Sequence, residues 1–330
     1  MLLRKASQEI VNSQDSVCRI IVGAGAVGLF LANIIKTENP LETLIIISKS
    51  KILTPIYIQY SDGRQVMANL PLALTPDMNF DECSQIKSKN IYFYVTTPPE
   101  YCDHVYKYIY KIAHKFSEKK IIFIVFMNNG FVDYKSFIDF KHHFNKNKRL
   151  LFYFVRALVV SGFMREKLED KTIIKNTAGN KIYYGFYKDK NINTLCLFPK
   201  LFYESIYDKN IFLREKTKFF TNFMLGLVIN KNLLQNEKIY TLISEKKIEE
   251  SIRNYCLLFT KNELNYDFVR EQFYSTIEAA GANINSISFA WHFGDKNTMD
   301  YFVIEFRKLL KKNKKSSLFF EELINEYYQK

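Results

Sequence analysis

The residues whose types and spacing most directly imply chemistry are Gly23, Gly25 and Gly28, in the run CRIIVGAGAVGLFLANIIK at 18–36. A Gly-x-Gly-x-x-Gly turn between an apolar run and a helical apolar pattern suits the pyrophosphate of a dinucleotide. Gly23 admits the tight turn, Gly25 lets a phosphate approach the backbone, and Gly28 lets the helix pack close to the strand. The helix then offers its first N–H groups and positive dipole end to the phosphates. Cofactor contacts are therefore expected at Gly23, Gly25, Ala26, Val27 and Gly28.

A second signal follows the next apolar run, 44–48. In dinucleotide sites the end of this strand meets the adenosine ribose. A carboxylate there selects NAD, whereas basic and hydroxyl groups suit a 2′-phosphate. The residues here are Ser48-Lys49-Ser50-Lys51, with no carboxylate among them. Ser48, Lys49 and Lys51 therefore predict NADP(H) as cofactor.

These residues need a scaffold, and the hydrophobic pattern supplies one. The runs 91–96 and 121–126 are continuously apolar, as in parallel strands buried on both faces, with helical spacing over 101–116 between them. Ser61-Asp62-Gly63 sits between alternating stretches and predicts a hairpin over 56–68. TIIK and KIYYGF, joined by NTAGN within 172–186, predict a second hairpin, and 151–155 a further strand. Beyond residue 209 helical patterns dominate, at 213–230, 236–261, 265–279, 283–293 and 298–312. The fold class expected is α/β: an N-terminal Rossmann-type dinucleotide-binding domain over 1–209, followed by an all-helical C-terminal domain over 210–330. Residues 1–16 read as a polar extension.

Composition narrows the function classes. The chain has 330 residues, 48% of them hydrophobic, enough for two cores. Cys18, Cys83, Cys102, Cys196 and Cys256 are scattered without Cys-x-x-Cys spacing, which speaks against a disulfide framework or a zinc site. No metal is expected. The N-terminus lacks the apolar core of an export signal and no run reaches membrane-span length, so a cytoplasmic setting is the expectation. The net charge of +13 is spread along the chain apart from RKLLKKNKK at 307–315. No aromatic-basic recognition module accompanies it, so the partner expected is a small anionic ligand and not nucleic acid.

Taken in order, these motifs resemble the ketopantoate reductases (2-dehydropantoate 2-reductases), over about residues 18–312. GAGAVG at 23–28 matches the family's opening turn, the SDG hairpin follows the second strand, and IYFYVTT at 91–97 looks like its VT-ending strand, placing Thr96 near cofactor. Asn129-Gly130 stands where the family's Asn lies between nicotinamide and substrate. Lys218, Asn222 and Asn236 fall at the spacing of the catalytic lysine and two substrate-side asparagines; Asn283 and Ser286 match a substrate-binding Asn and Ser; Asp300-Tyr301 matches a later Asp-Tyr pair. The chain departs from the pattern at three places. Pro98 replaces a lysine, Gly226 replaces a second asparagine one turn beyond Asn222, and Thr298 replaces a substrate-side glutamate.

The resemblance implies NADPH-dependent reduction of a small 2-oxo acid in a cleft between two domains, a place in pantothenate biosynthesis, and a monomer or homodimer. Lys218 and Asn222 lie four apart, on one face of the predicted helix. The lysine would stabilise and protonate the oxygen that receives charge as hydride arrives. Asn129, Asn222, Asn236, Asn283, Ser286 and Thr298 would hold the substrate. Thr298 has no negative charge, so Thr298→Glu is expected to improve ketopantoate reduction about tenfold or more in a conventional pocket, with Gly226 otherwise opening space for another substrate. The alternative is a chain of the same fold that holds dinucleotide or a partner without turnover.

Overall fold

The computed structural model describes residues 17–49, 52, 54–71, 73–75, 83, 86–116, 118–132, 138–139, 142, 150–187, 197–200, 204–230, 232–259, 264–311 and 314–328. The expected extension 1–16 and Lys51 lie outside them. Two compact units emerge. The first comprises residues up to 97, 101–128 and 132–211; the second comprises Pro98–Glu100, Asn129–Phe131 and Phe212–Lys330.

The first unit is built on one ten-stranded sheet. In chain order its strands are β1 (Val17–Val22), β2 (Thr43–Ile47), β3 (Ile56–Gln59), β4 (Gln65–Met67), β5 (Ala73–Leu74), β6 (Asn90–Val95), β7 (Lys120–Phe126), β8 (Leu150–Lys167), β9 (Thr172–Phe186) and β10 (Glu204–Tyr207). The spatial order is β4-β3-β9-β8-β7-β6-β1-β2-β5, with β10 against β9. From β5 through β8 every pairing is parallel. Helix α1 (Ala26–Glu38) follows β1, and α2 (Cys102–Ala113) follows β6. Alternation along each strand divides the side chains between two cores. Ile21, Phe123 and Val125 pack with Leu29 and Leu31 of α1. Ile20, Val22, Ile122 and Ile124 pack with Val105, Ile109 and Ile112 of α2. This is a doubly wound α/β layer, and the chain reverses its direction across the sheet at β1, between β2 and β6.

The SDG hairpin forms as the sequence predicts, β3 pairing antiparallel with β4. The second predicted hairpin does not. Residues 172–186 are one continuous strand antiparallel to the 18-residue β8, and the turn falls instead at 168–171, where Leu168 N–H bonds to Lys171 O at 2.8 Å. NTAGN is a bulge in that long pair. Gly179 has φ +75°, and a Cβ there would lie 2.4 Å from Val160 O, so the glycine permits a close approach between strands, not a reversal.

The second unit is helical. Its elements are α3 (Ile211–Ile229), a 3₁₀ turn Asn236–Lys238 leading into α4 (Ile239–Leu242), α5 (Glu245–Cys256), α6 (Tyr266–Ala280), α7 (Ser286–His292), α8 (Asn297–Leu310) and α9 (Lys314–Tyr327). The pattern read as one helix over 236–261 is broken at Ile243-Ser244, because Ser244 turns out of the helix to cap α5, accepting from Lys247 N–H. Asn265 and Asn285 cap α6 and α7 in the same way. The sequence reading has no counterpart of α9, whose apolar residues Phe320, Leu323 and Ile324 are fully buried in the core with Phe223, Phe302 and Phe306. Among the described residues no helix is long and apolar enough to cross a membrane, and no group of three His, Cys, Asp or Glu side chains could hold a metal ion. Cys18, Cys83 and Cys256 are free thiols.

Candidate functional site

The glycine turn occupies the end of β1, beside the point where the sheet order reverses. Gly23 has φ +116°, and a Cβ on it would meet Thr97 N at 2.8 Å. A Cβ on Gly28 would lie 2.0 Å from Gly23 O and 2.6 Å from Thr96 Oγ1. Both glycines are therefore required by close approach of backbone and neighbour. Gly25 differs: a Cβ there would meet nothing within 4 Å. It is the N-cap of α1, offers no side-chain cap, and is followed by a first turn without acidic residues. The N–H groups that open the helix, at Ala26, Val27 and Gly28, thus lack an internal side-chain acceptor in a place open to an anion. The residues present fit a dinucleotide pyrophosphate.

Thr96 directly follows β6 and donates its hydroxyl to Gly23 O at 2.8 Å, so it buckles the turn from beside the adjacent strand. Ser48 is buried and its N–H bonds to Leu74 O at 2.9 Å, tying the end of β2 to β5. Lys49 is exposed, with its ammonium 5.5 Å from the centre of the Tyr101 ring. One residue absent from the sequence reading joins them. Arg165, on the extended part of β8, donates from Nη1 to Ala24 O at 2.8 Å, while its Nε is buried without a partner. Burial lowers the pKa of this guanidinium. It lies 141 positions from Ala24, so no local pattern could mark it.

The expected substrate-side residues all fall in the second unit, including Asn129 and the turn that carries it. Lys218 and Asn222 are half-buried on α3, between the buried Phe219, Phe220 and Phe223. Asn222 Nδ2 is buried and has no hydrogen-bond partner. Asn236 and Asn283 come together: Asn236 N–H bonds to Asn283 O at 2.9 Å, and Asn236 Nδ2 donates to Ala280 O at 2.8 Å. That leaves a buried acceptor, Asn236 Oδ1, and a buried donor, Asn283 Nδ2, both without partners. Ser286 is exposed at the first position of α7, whose cap is Asn285.

The Asn129 turn is held by α8. Tyr301 donates its hydroxyl to Phe131 O at 2.9 Å, and Phe131 stacks on Phe219 of α3 with centroids 4.1 Å apart. Gly130, at φ +89°, lets Tyr301 and Pro99 close on the backbone: a Cβ there would meet Tyr301 Cε1 at 2.7 Å and Pro99 Cβ at 3.2 Å. Within the first unit, Arg156, 1% exposed, bonds to Phe126 O at 2.7 Å and Asn128 O at 2.8 Å, fixing the end of β7.

Two departures look different in three dimensions. Gly226 opens no space: a Cβ there would crowd Ile287 Cγ2 at 3.0 Å and Met299 Sδ at 3.1 Å, so the glycine serves close packing of α3 against α7 and α8. Thr298 does not stand without a carboxylate. Its Oγ1 donates to Glu100 Oε1 at 3.0 Å, from a turn 198 positions earlier.

No model of a protein family matches the chain, and no curated protein does. Solved structures do. A ketopantoate reductase from Ralstonia eutropha superimposes with TM-score 0.63 at 10% identity, over 93% of this chain and 99% of that one. A dimeric ketopantoate reductase from Staphylococcus aureus gives 0.59 at 11%, over 93% and 97%. This chain has the ketopantoate reductase fold. A D-mandelate dehydrogenase solved with NADH and anilino(oxo)acetate shares that fold, with TM-score 0.65 at 15% identity over 93% and 97%. The ketopantoate reductase fold thus extends over 93% of the chain at a sequence identity of 10–15%.

Proposed function

We propose that this chain is an NADP(H)-dependent reductase of a small 2-oxo acid. The observation that carries the reading is a set of buried polar atoms without partners in the helical unit: Asn222 Nδ2, Asn236 Oδ1 and Asn283 Nδ2. Buried polar groups are nearly always hydrogen-bonded, and a small polar acid would satisfy these. The dinucleotide would supply the hydride that reduces the ketone carbon. Gly25 and the N–H groups of Ala26 and Val27 receive its pyrophosphate, with Arg165 as a nearby cation. Ser48 and Lys49 favour a 2′-phosphate over an unmodified ribose. Asn129, on the turn that Tyr301 holds through Phe131 O, is the residue that the resemblance assigns to the nicotinamide and the substrate. Lys218 places positive charge and a proton at the oxygen that becomes an alkoxide.

The test is a turnover panel of 2-oxo acids with each dinucleotide, run on the wild type and Lys218→Ala. Reduction is expected with NADPH bound more tightly than NADH. Lys218→Ala should lower kcat about 10²–10³-fold with NADPH affinity retained, the usual loss for one donor to a developing oxyanion. NADPH binding without reduction of any acid would leave a dinucleotide-holding module of the same fold. A Lys218→Ala variant with wild-type kcat would remove the assigned role of the lysine.

A further inference from the structure

Pro98, Pro99 and Glu100 leave the end of β6 as a rigid turn, two successive prolines fixing the backbone before the 3₁₀ turn Pro99–Tyr101. Pro99 is buried against Gly130, and the three residues belong to the helical unit with the Asn129 turn. The Glu100 carboxyl is thereby pressed into that unit. One oxygen, Oε1, accepts from Thr298 Oγ1 at 3.0 Å. The other, Oε2, is buried and has no partner. Among the described residues no cation forms an ion pair with this carboxyl. Tyr301, one turn beyond Thr298 on α8, closes the same cluster over Gly130. A carboxyl oxygen left unpaired in this way is costly to the fold unless something else hydrogen-bonds to it. A hydroxyl meets that need with the carboxyl in either protonation state, since it both donates and accepts.

We infer that Glu100 is the substrate-facing carboxyl of this site, held in place by Thr298, and that it selects a 2-oxo acid carrying a hydroxyl group. The inference rests on the reductase reading for its substrate class. It adds that the carboxyl has moved from α8 to the turn after β6, and it reverses one expectation from sequence. A glutamate at 298 would face Glu100 at hydrogen-bond distance, and like charges so close disfavour each other. Thr298→Glu alone is therefore expected to weaken the handling of a hydroxylated acid, not to improve it.

The experiment compares ketopantoate with trimethylpyruvate, which has the same skeleton without the hydroxyl. Calorimetry on protein saturated with NADP⁺ gives binding of each acid, and NADPH oxidation gives kcat/KM, for the wild type, Glu100→Gln, Thr298→Glu and the double variant. Glu100→Gln keeps an acceptor for Thr298, and its melting temperature checks folding. The expected result is a loss of about tenfold or more on ketopantoate in Glu100→Gln and less than about twofold on trimethylpyruvate. Recovery of ketopantoate handling in the double variant, relative to Glu100→Gln, supports the same assignment. Equal effects on both acids, no effect on either, or improvement by Thr298→Glu alone overturns it. Glu100-dependent binding of ketopantoate without turnover overturns the reductase reading and leaves the carboxyl assignment standing. Turnover without discrimination does the reverse, and binding of neither acid overturns both.

Discussion

At the scale of single residues, a position-by-position comparison leaves 298 without a carboxyl, and the structure sets one beside it. The resemblance directs attention to 298, where the chain has a hydroxyl, whereas the acid that this hydroxyl touches is Glu100. Nothing in VTTPPE marks Glu100 as buried; the two prolines before it are the only local hint that its backbone is fixed. Asn222, Asn236 and Asn283 were named from the resemblance, and the buried atoms without partners on them emerge only from packing. Glu100 also has a consequence for stability. Burial raises its carboxyl pKa, and Asp295 adds to this, while its own backbone and Thr298 oppose it. A pKa raised on folding favours the protonated carboxyl in the folded state. That contribution is fully present below the unfolded value of about 4.3 and is lost as pH rises through the folded value. Glu100→Gln cannot ionise, so its melting temperature is expected to exceed that of the wild type near neutral pH. The two should converge toward about pH 4. Melting curves of both proteins across this range check it, and a gap that persists in acid would show that charge is not the cause.

At the scale of elements, the parallel strands and the glycine turn were readable because each announces itself locally: β6 and β7 as buried apolar runs, the turn as three glycines before an apolar helix. The β8–β9 pair was not. A glycine with asparagines looks the same in a turn and in a bulge, and only the long partner strand decides between them. Helix α9 escaped notice because its first residues fall at the end of the basic cluster 307–315, where no apolar spacing announces a helix. The glycine turn permits a sharper test. Gly25→Ala, open and at φ −78°, should fold as the wild type but bind dinucleotide about tenfold or more weakly, since a methyl group would displace a charge-assisted phosphate contact. Gly28→Ala forces a methyl against Gly23 O and should cost about 1–3 kcal/mol or more, lowering the melting temperature by at least about 3 °C. Thermal denaturation alongside cofactor titration separates the two outcomes.

At the scale of the whole molecule, the charge of +13 would attract the anionic cofactor and the anionic substrate proposed above at long range. The helical unit is not a contiguous stretch of chain. It takes Pro98–Glu100 and Asn129–Phe131 from the ends of β6 and β7. A polypeptide of residues 212–330 alone would lose the Phe131 ring from Phe219 and the acceptor of the Tyr301 hydroxyl. It is expected to bind a hydrophobic dye and to lack a cooperative thermal transition, both measurable on the isolated fragment.

That borrowing also constrains how such a gene can change. A crossover anywhere between the codons for residues 131 and 212 would bring in a foreign helical half while keeping the parental Glu100 and Asn129. The recombinant would pair one lineage's loops with another lineage's α8. A glutamate at 298 in the incoming half would then confront Glu100, although each half is sound in its own parent. Such a chimera is a hybrid incompatibility within a single polypeptide, and the two halves must be inherited together.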